Sequence, residues 1–283
     1  MIFAAFRAEW FKLVRRPSIW VTIGLLLALT VGIGYVLTYL VAIHPPATPG
    51  QGGPDFAALR RGMYPASLVR KALSNVTTLD GVFALILGVL AQGSEYTWGT
   101  VKTAQTQLPG RLAIVFGQLA SISLLVLVAV LSIFLSDAVA SYLIALADGA
   151  STTPPASVDV IKGVGAMALI FEFLAILGCF LATILKQSAV AIGIGVGYVL
   201  VVEGLLFGLL VRLGDAFKTV HDLFPVANAS YLNQSFGQVG SVVSITNSGA
   251  PEVSAAHAVI VLVIWTIGIN AISAGVVRHR DVT

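Results

Sequence analysis

Charged side chains are scarce in this chain, and their positions decide what chemistry is open to them. Glu95, Lys102 and Arg111 share one polar stretch, Gly93-Ser94-Glu95-Tyr96-Thr97-Trp98-Gly99-Thr100-Val101-Lys102, which closes at Leu108-Pro109-Gly110-Arg111. Held between two apolar runs, such a stretch suits the docking of a soluble partner. Glu95 can pair with Lys102 or Arg111, Tyr96 and Trp98 offer amphipathic rings to an interface, Gly99 and Thr100 allow a tight backbone, and Pro109 breaks the chain direction. The alternative is that the three charges are merely solvated and contribute little. Glu172 and Glu203 sit instead well inside apolar runs, where an ionised carboxylate costs at least roughly a few kcal/mol unless protonated, paired or hydrated. Such groups line a substrate or proton path, or serve as hydrogen-bonded acids that fix helix packing.

Other chemistries find no support. The four histidines, His44, His221, His257 and His279, are scattered without a metal-ligand spacing, so no metal site is expected. The lone Cys179 excludes an internal disulfide. Gly50-Gln51-Gly52-Gly53-Pro54 lacks the lysine of a phosphate-binding loop and reads as a turn, so any ATP must be bound by another chain. No paired nucleophile and base falls within a span, which argues against an enzyme. The cations flank apolar runs and form no continuous basic surface, which argues against nucleic acid.

The elements that position these residues are membrane spans. Of 283 residues, 57% are hydrophobic and only 10% charged, against about 25% charged in soluble domains. The sequence predicts an all-α integral membrane protein in which 1–283 is a single transmembrane domain of six helices. The spans fall near 19–43, 77–93, 112–134, 160–185, 189–211 and 256–277. The second is short and begins at Asp80. The third is interrupted by Asp137, so it is either one long tilted span or a span followed by a short interfacial helix.

Residues 1–18 predict an amphipathic helix in the lipid headgroup plane, with Ile2, Phe3, Phe6, Trp10, Leu13 and Val14 on one side and Glu9, Lys12, Arg15 and Arg16 on the other. Arg15-Arg16 before span one and Arg278-His279-Arg280 after span six place both termini in the cytoplasm. The 94–111 stretch is then a cytoplasmic loop, and 212–255 an extracytoplasmic loop or re-entrant segment. Nine of the sixteen cations lie inside on this count. Arg60, Arg61, Arg70 and Lys71 fall outside and strain the positive-inside rule. In span five, Gly193, Gly197, Gly204 and Gly208 recur at spacings of four, seven and four, a groove for close helix approach between subunits or within one.

Together these residues resemble the permease subunits of ABC-2 type transporters. The resemblance is carried by Glu9-x-x-Lys12-x-x-Arg15-Arg16-Pro17, by Glu95-Tyr96-x-Trp98-Gly99-Thr100-x-Lys102 with Leu108-Pro109-x-Arg111, by the Lys186-Gln187-Ser188 turn and by Phe224-Pro225 before span six. It covers essentially the whole chain, and only the 94–111 stretch is specific. It implies that this stretch is a coupling helix seated on a separate nucleotide-binding ATPase, which carries ATP and Mg. It also implies that two permease copies, identical or paralogous, enclose the substrate path, and that export is the expected direction. The Ala/Gly/Val-rich composition suggests a bacterial inner membrane. An alternative from another class is an ion-coupled secondary transporter or channel that uses Glu172 and Glu203, although no inverted repeat is visible.

Overall fold

The computed structural model describes residues 2–44, 55–77, 79–97, 111–207, 215–237 and 253–279, and among these every regular element is helical, with no strand. Helix α1 is Ile2–Val14. Helix α2 is Pro17–Ile43, with a π-helical stretch at Gly32–Leu37. The short α3 (Phe56–Arg61) and α4 (Leu68–Leu73) follow, then α5 (Leu79–Thr97), α6 (Arg111–Ala147) and α7 (Ser157–Leu185). Helix α8 starts as Ser188–Gly197 and continues π-helically through Tyr198–Phe207. Short α9 (Asp215–His221) and α10 (Pro225–Gln234) precede α11 (Ala255–His279).

Five helices are long and apolar enough to cross a bilayer: Pro17–Ile43, Phe116–Ala147, Ser157–Leu185, Ser188–Leu206 and Ala255–Val276. The apolar part of α5, Leu79–Gly93, is shorter. The chain is therefore a multi-pass, all-helical membrane protein. Asp137 does not interrupt α6, which runs unbroken for 37 residues, about 55 Å at 1.5 Å per residue. Its carboxylate is buried at 1% exposure, so the helix carries it inside the bundle instead of ending to let it reach water.

Pro17 starts α2 because its missing N–H is not needed in a first turn, and Arg16 before it is extended (φ −86°, ψ 114°). The Arg16 guanidinium donates to the carbonyls of Leu90 (3.2 Å) and Ala91 (2.9 Å) late in α5. Helix α1 lies along the start of α6 on a stripe of Ala5, Glu9 and Leu13, all under 9% exposed. Gly117 makes this approach possible, because a Cβ there would fall 2.7 Å from the Phe6 nitrogen. The sequence placed Glu9 on the water-facing side. In the fold it turns inward and accepts from Lys12 at 2.6 Å, while Phe3, Phe11 and Arg15 face outward, the Arg15 guanidinium 4.6 Å above the Phe11 ring.

The core is the crossing of α5 and α7. A Cβ on Gly88 would collide with the Ala175 carbonyl and one on Gly178 with that of Leu85, so the two backbones touch where neither has a side chain. Cys179 closes the same contact, its thiol donating to the Gly88 carbonyl at 3.1 Å. In α8 the intimate contact is at Gly195, which meets Leu85 and Leu181. Gly193 and Gly197 have open space beside them, Gly204 meets only the Val199 carbonyl of its own helix at 3.3 Å, and Gly208 lies outside the described residues.

Two short-helix segments enter the bundle from the end opposite α1, called here the distal end. Helix α4 buries Val69, Lys71, Ala72 and Leu73 against α6 and α7. Helix α10 buries Pro225 through Ala229 and is anchored beside α11, where the Trp265 indole donates to the Leu223 carbonyl at 2.9 Å. Trp265 is ten residues into α11, roughly 15 Å along it. Helix α10 therefore packs along α11 instead of extending away from the bundle.

Candidate functional site

Three groups of polar residues have defined geometry. The first surrounds the polar stretch at the α1 end. Glu95 and Tyr96 belong to the last turn of α5, and Arg111 is the first residue of α6. Trp98, Gly99, Thr100, Lys102 and Pro109 lie outside the described residues. What flanks them is defined. Gly93 abuts Ser188 at the start of α8, and Gly117 abuts Ala5 and Phe6 of α1. Gln118 donates to Gln92, and both line a cavity of about 40 Å³ with Thr183, Asn270 and Ser273. The α1 helix, the ends of the 94–111 stretch, the Lys186–Ser188 turn and the late part of α11 therefore share one end of the bundle. Lys186 adopts the left-handed region (φ 54°) to turn α7 into α8.

The second group lies inside the bundle. Asp80 of α5 is 0% exposed, Asp137 of α6 1%, Lys71 of α4 4% and Tyr35 in the π-helical stretch of α2 1%. The Thr30 hydroxyl sits 3.0 Å from Asp80 Oδ1 and 2.9 Å from the Leu26 carbonyl, and has one proton for both. The Lys71 ammonium stands 5.5 Å from the centre of the Tyr35 ring, a cation–π arrangement. Asp80 Oδ2, both oxygens of Asp137 and the Tyr35 hydroxyl have no hydrogen-bond partner among the described residues. The sequence showed Asp80 and Asp137 as charges in apolar runs and assigned neither to a site. Lys71 was expected in an outer loop. No spacing rule joins residues 71, 80 and 137, because three separate helices bring them together. The signal that was present is Asp80 at the start of one apolar run and Asp137 inside another.

The two glutamates foreseen from the sequence are separate from that cluster and from each other. Glu203, in the π-helical part of α8, is 3% exposed and accepts from the Val226 N–H at 2.8 Å, in the first turn of α10. A carboxylate at a helix N-terminus satisfies donors that have no partner within their own helix. Glu203 thus bonds the start of α10 to α8. Glu172 is half-buried and accepts from the exposed Ser123 hydroxyl at 2.7 Å, so this pair faces away from the core.

The third group closes the distal end. Asp148, just past α6, receives Arg60 through Nη2 (2.5 Å) and Nε (3.2 Å), Tyr39 (2.8 Å) and Tyr64 (3.0 Å). It ties the end of α2, the 55–64 segment and the end of α6 together. Burial would raise the Asp148 pKa, but the hydrogen bonds from Arg60, Tyr39 and Tyr64 outweigh it and hold it below the ordinary carboxylate value. For Tyr64, burial first and then the Asp148 hydrogen bond raise the phenol. The cations that strained the positive-inside count are thereby accounted for in part: Arg60 is paired with Asp148, Arg61 is 3.8 Å from Asp55, and Lys71 is withdrawn into the bundle.

Fold and sites together define a multi-pass helical membrane protein with both ends of the 94–111 stretch at one end of the bundle and buried ionisable side chains within. Compared with known proteins, the chain matches no protein-family model and no curated protein.

Proposed function

We propose that the chain is the permease subunit of an ATP-binding-cassette transporter of the ABC-2 type, moving its substrate outward with ATP hydrolysed on a separate nucleotide-binding subunit. One observation supports this above the others. The α1 helix, both ends of the 94–111 stretch, the 186–188 turn and the late part of α11 converge on one end of the bundle, as a single docking face requires. In this reading α5 is the second of six spans, its short apolar part completed by α4, and both termini are cytoplasmic. The outward stripe of Phe3, Phe11 and Arg15 on α1 meets lipid headgroups in a bacterial inner membrane. Glu95, Tyr96, Trp98, Gly99, Thr100, Lys102, Pro109 and Arg111 form the face that receives the ATPase, which carries ATP and Mg.

A second permease copy covers the open side of α8, where Leu200, Val201 and Leu205 are exposed beside Gly197 and Gly204. The test is co-purification. An ATPase subunit from the same membrane should be retained by the intact protein and lost from the Glu95→Ala, Gly99→Leu double variant, while a protein that remains monodisperse keeps its helicity. Transport by the chain alone, with no ATPase present, would overturn the reading.

A further inference from the structure

We propose that Asp137, with Asp80, Lys71 and Tyr35, forms a proton-binding site inside the bundle, holding one proton that exchanges with water at the distal face. It rests on the buried geometry alone and is independent of which soluble partner binds at the α1 end.

One ammonium lies within electrostatic range of two carboxylates here, a formal excess of one negative charge among side chains that are all 4% exposed or less. A low-dielectric interior does not tolerate that excess, and the cheapest remedy is a single proton on one carboxylate. Geometry chooses which. Asp80 has the Thr30 hydroxyl on one oxygen, which favours its anion, whereas neither oxygen of Asp137 has a partner among the described residues. Lys71 remains the counter-charge, held over the Tyr35 ring. A metal cation is a poorer occupant, because it would have to shed its water beside an ammonium that repels it.

Among the described residues, the groups at the site come from four of the helices packed against it. They are Tyr35 and Thr30 from α2, Lys71 from α4, Asp80 from α5 and Asp137 from α6. Helix α7 brings no titratable side chain to it: Asp159 and Lys162 are exposed, and Glu172 is turned to Ser123.

The exchange side follows from depth. Asp137 is eleven residues from Asp148, about 16 Å along α6, but twenty residues, about 30 Å, from Gly117 at the α1 end. Toward the distal face lies the small apolar cluster of Ala42, Leu59, Met63 and Ala140. Toward α1 lies the main core, including Ile19, Ile23 and Leu26 of α2. The proton is taken from water at the distal face to form an O–H bond on Asp137 and is returned there, with no redox change.

The experiment is infrared spectroscopy of the full chain in phospholipid vesicles, with aspartate carboxyls isotopically labelled. One aspartic-acid C=O band is expected at neutral pH. It should be lost in Asp137→Asn and retained in Glu172→Gln and Glu203→Gln. Lys71→Met, which removes the counter-charge, should double it. Because Asp137→Asn is at risk of misfolding, the Lys71→Met result stands as an independent arm. No band at neutral pH, a band untouched in Asp137→Asn, an unchanged band in Lys71→Met, or loss of the band on adding sodium at constant pH would each overturn the proposal. In vesicles of known orientation, a pH step on the distal side should move the band. A response only to the α1 side would overturn the route.

Discussion

At the scale of single residues, the side chains that matter are those whose surroundings had to be assembled. Asp148 shows this outside the spans. Its folded pKa lies below its unfolded value of about 3.9. The stability it contributes is therefore present above that value and is lost as pH falls through the lower, folded one. We predict that Asp148→Asn lowers the thermal unfolding temperature of the detergent-solubilised protein near pH 7. The gap from the parent should close as pH drops below the carboxylate range. A gap that is constant with pH would show that the Arg60, Tyr39 and Tyr64 contacts act only by packing. Sequence placed Arg60 and Asp148 in two separate loops, and it had no means of pairing residues 88 positions apart. For Lys71 it erred for a definite reason. A lysine beside Arg70 in a polar loop resembles a solvated charge until α4 is seen packed into the bundle, with Val69, Ala72 and Leu73 buried around it.

Among elements, the decisive contact is between α5 and α7. Even the smallest Cβ at Gly88 meets the Ala175 backbone, which has no rotamer with which to move aside. Gly88→Ala should destabilise the protein by roughly 1–3 kcal/mol or more. Gly24→Ala, with nothing within 4 Å of the new methyl, should be neutral or gain up to about 1 kcal/mol of helix propensity. Thermal unfolding of the two variants under one condition decides it, and equal behaviour would refute the crossing. The helices themselves were legible, since apolar runs of 19 to 32 residues with few charges leave little choice. The crossing was not, because Gly88 and Gly178 each stand in a different helix without a repeat to mark them. The glycine repeat that did stand out, Gly193 to Gly208, faces open space at Gly193 and Gly197. Periodicity identifies a smooth face but not what covers it.

For the whole molecule, the arrangement of ends can be tested without knowing the substrate. In a Cys179→Ala background, single cysteines at Phe3 and Lys186 should react with a membrane-impermeant maleimide from one side. A cysteine at Ser151 should react only from the other. Labelling of Ser151 and Lys186 from the same side would overturn the arrangement and the docking face with it. The overall architecture was largely readable because a bilayer demands helices of a given length. The interior was not, because it depends on which helices meet.

The π-helical stretches in α2 and α8 bear on how these spans are measured. A π turn is an α-helix that has taken in a surplus residue without breaking its ladder. Tyr35 and Glu203 both sit on such surplus backbone, so the phase of side chains is reset between one half of each span and the other. An insertion or deletion of one amino acid at these points is absorbed by tightening or loosening the coil, with both ends of the span left in place.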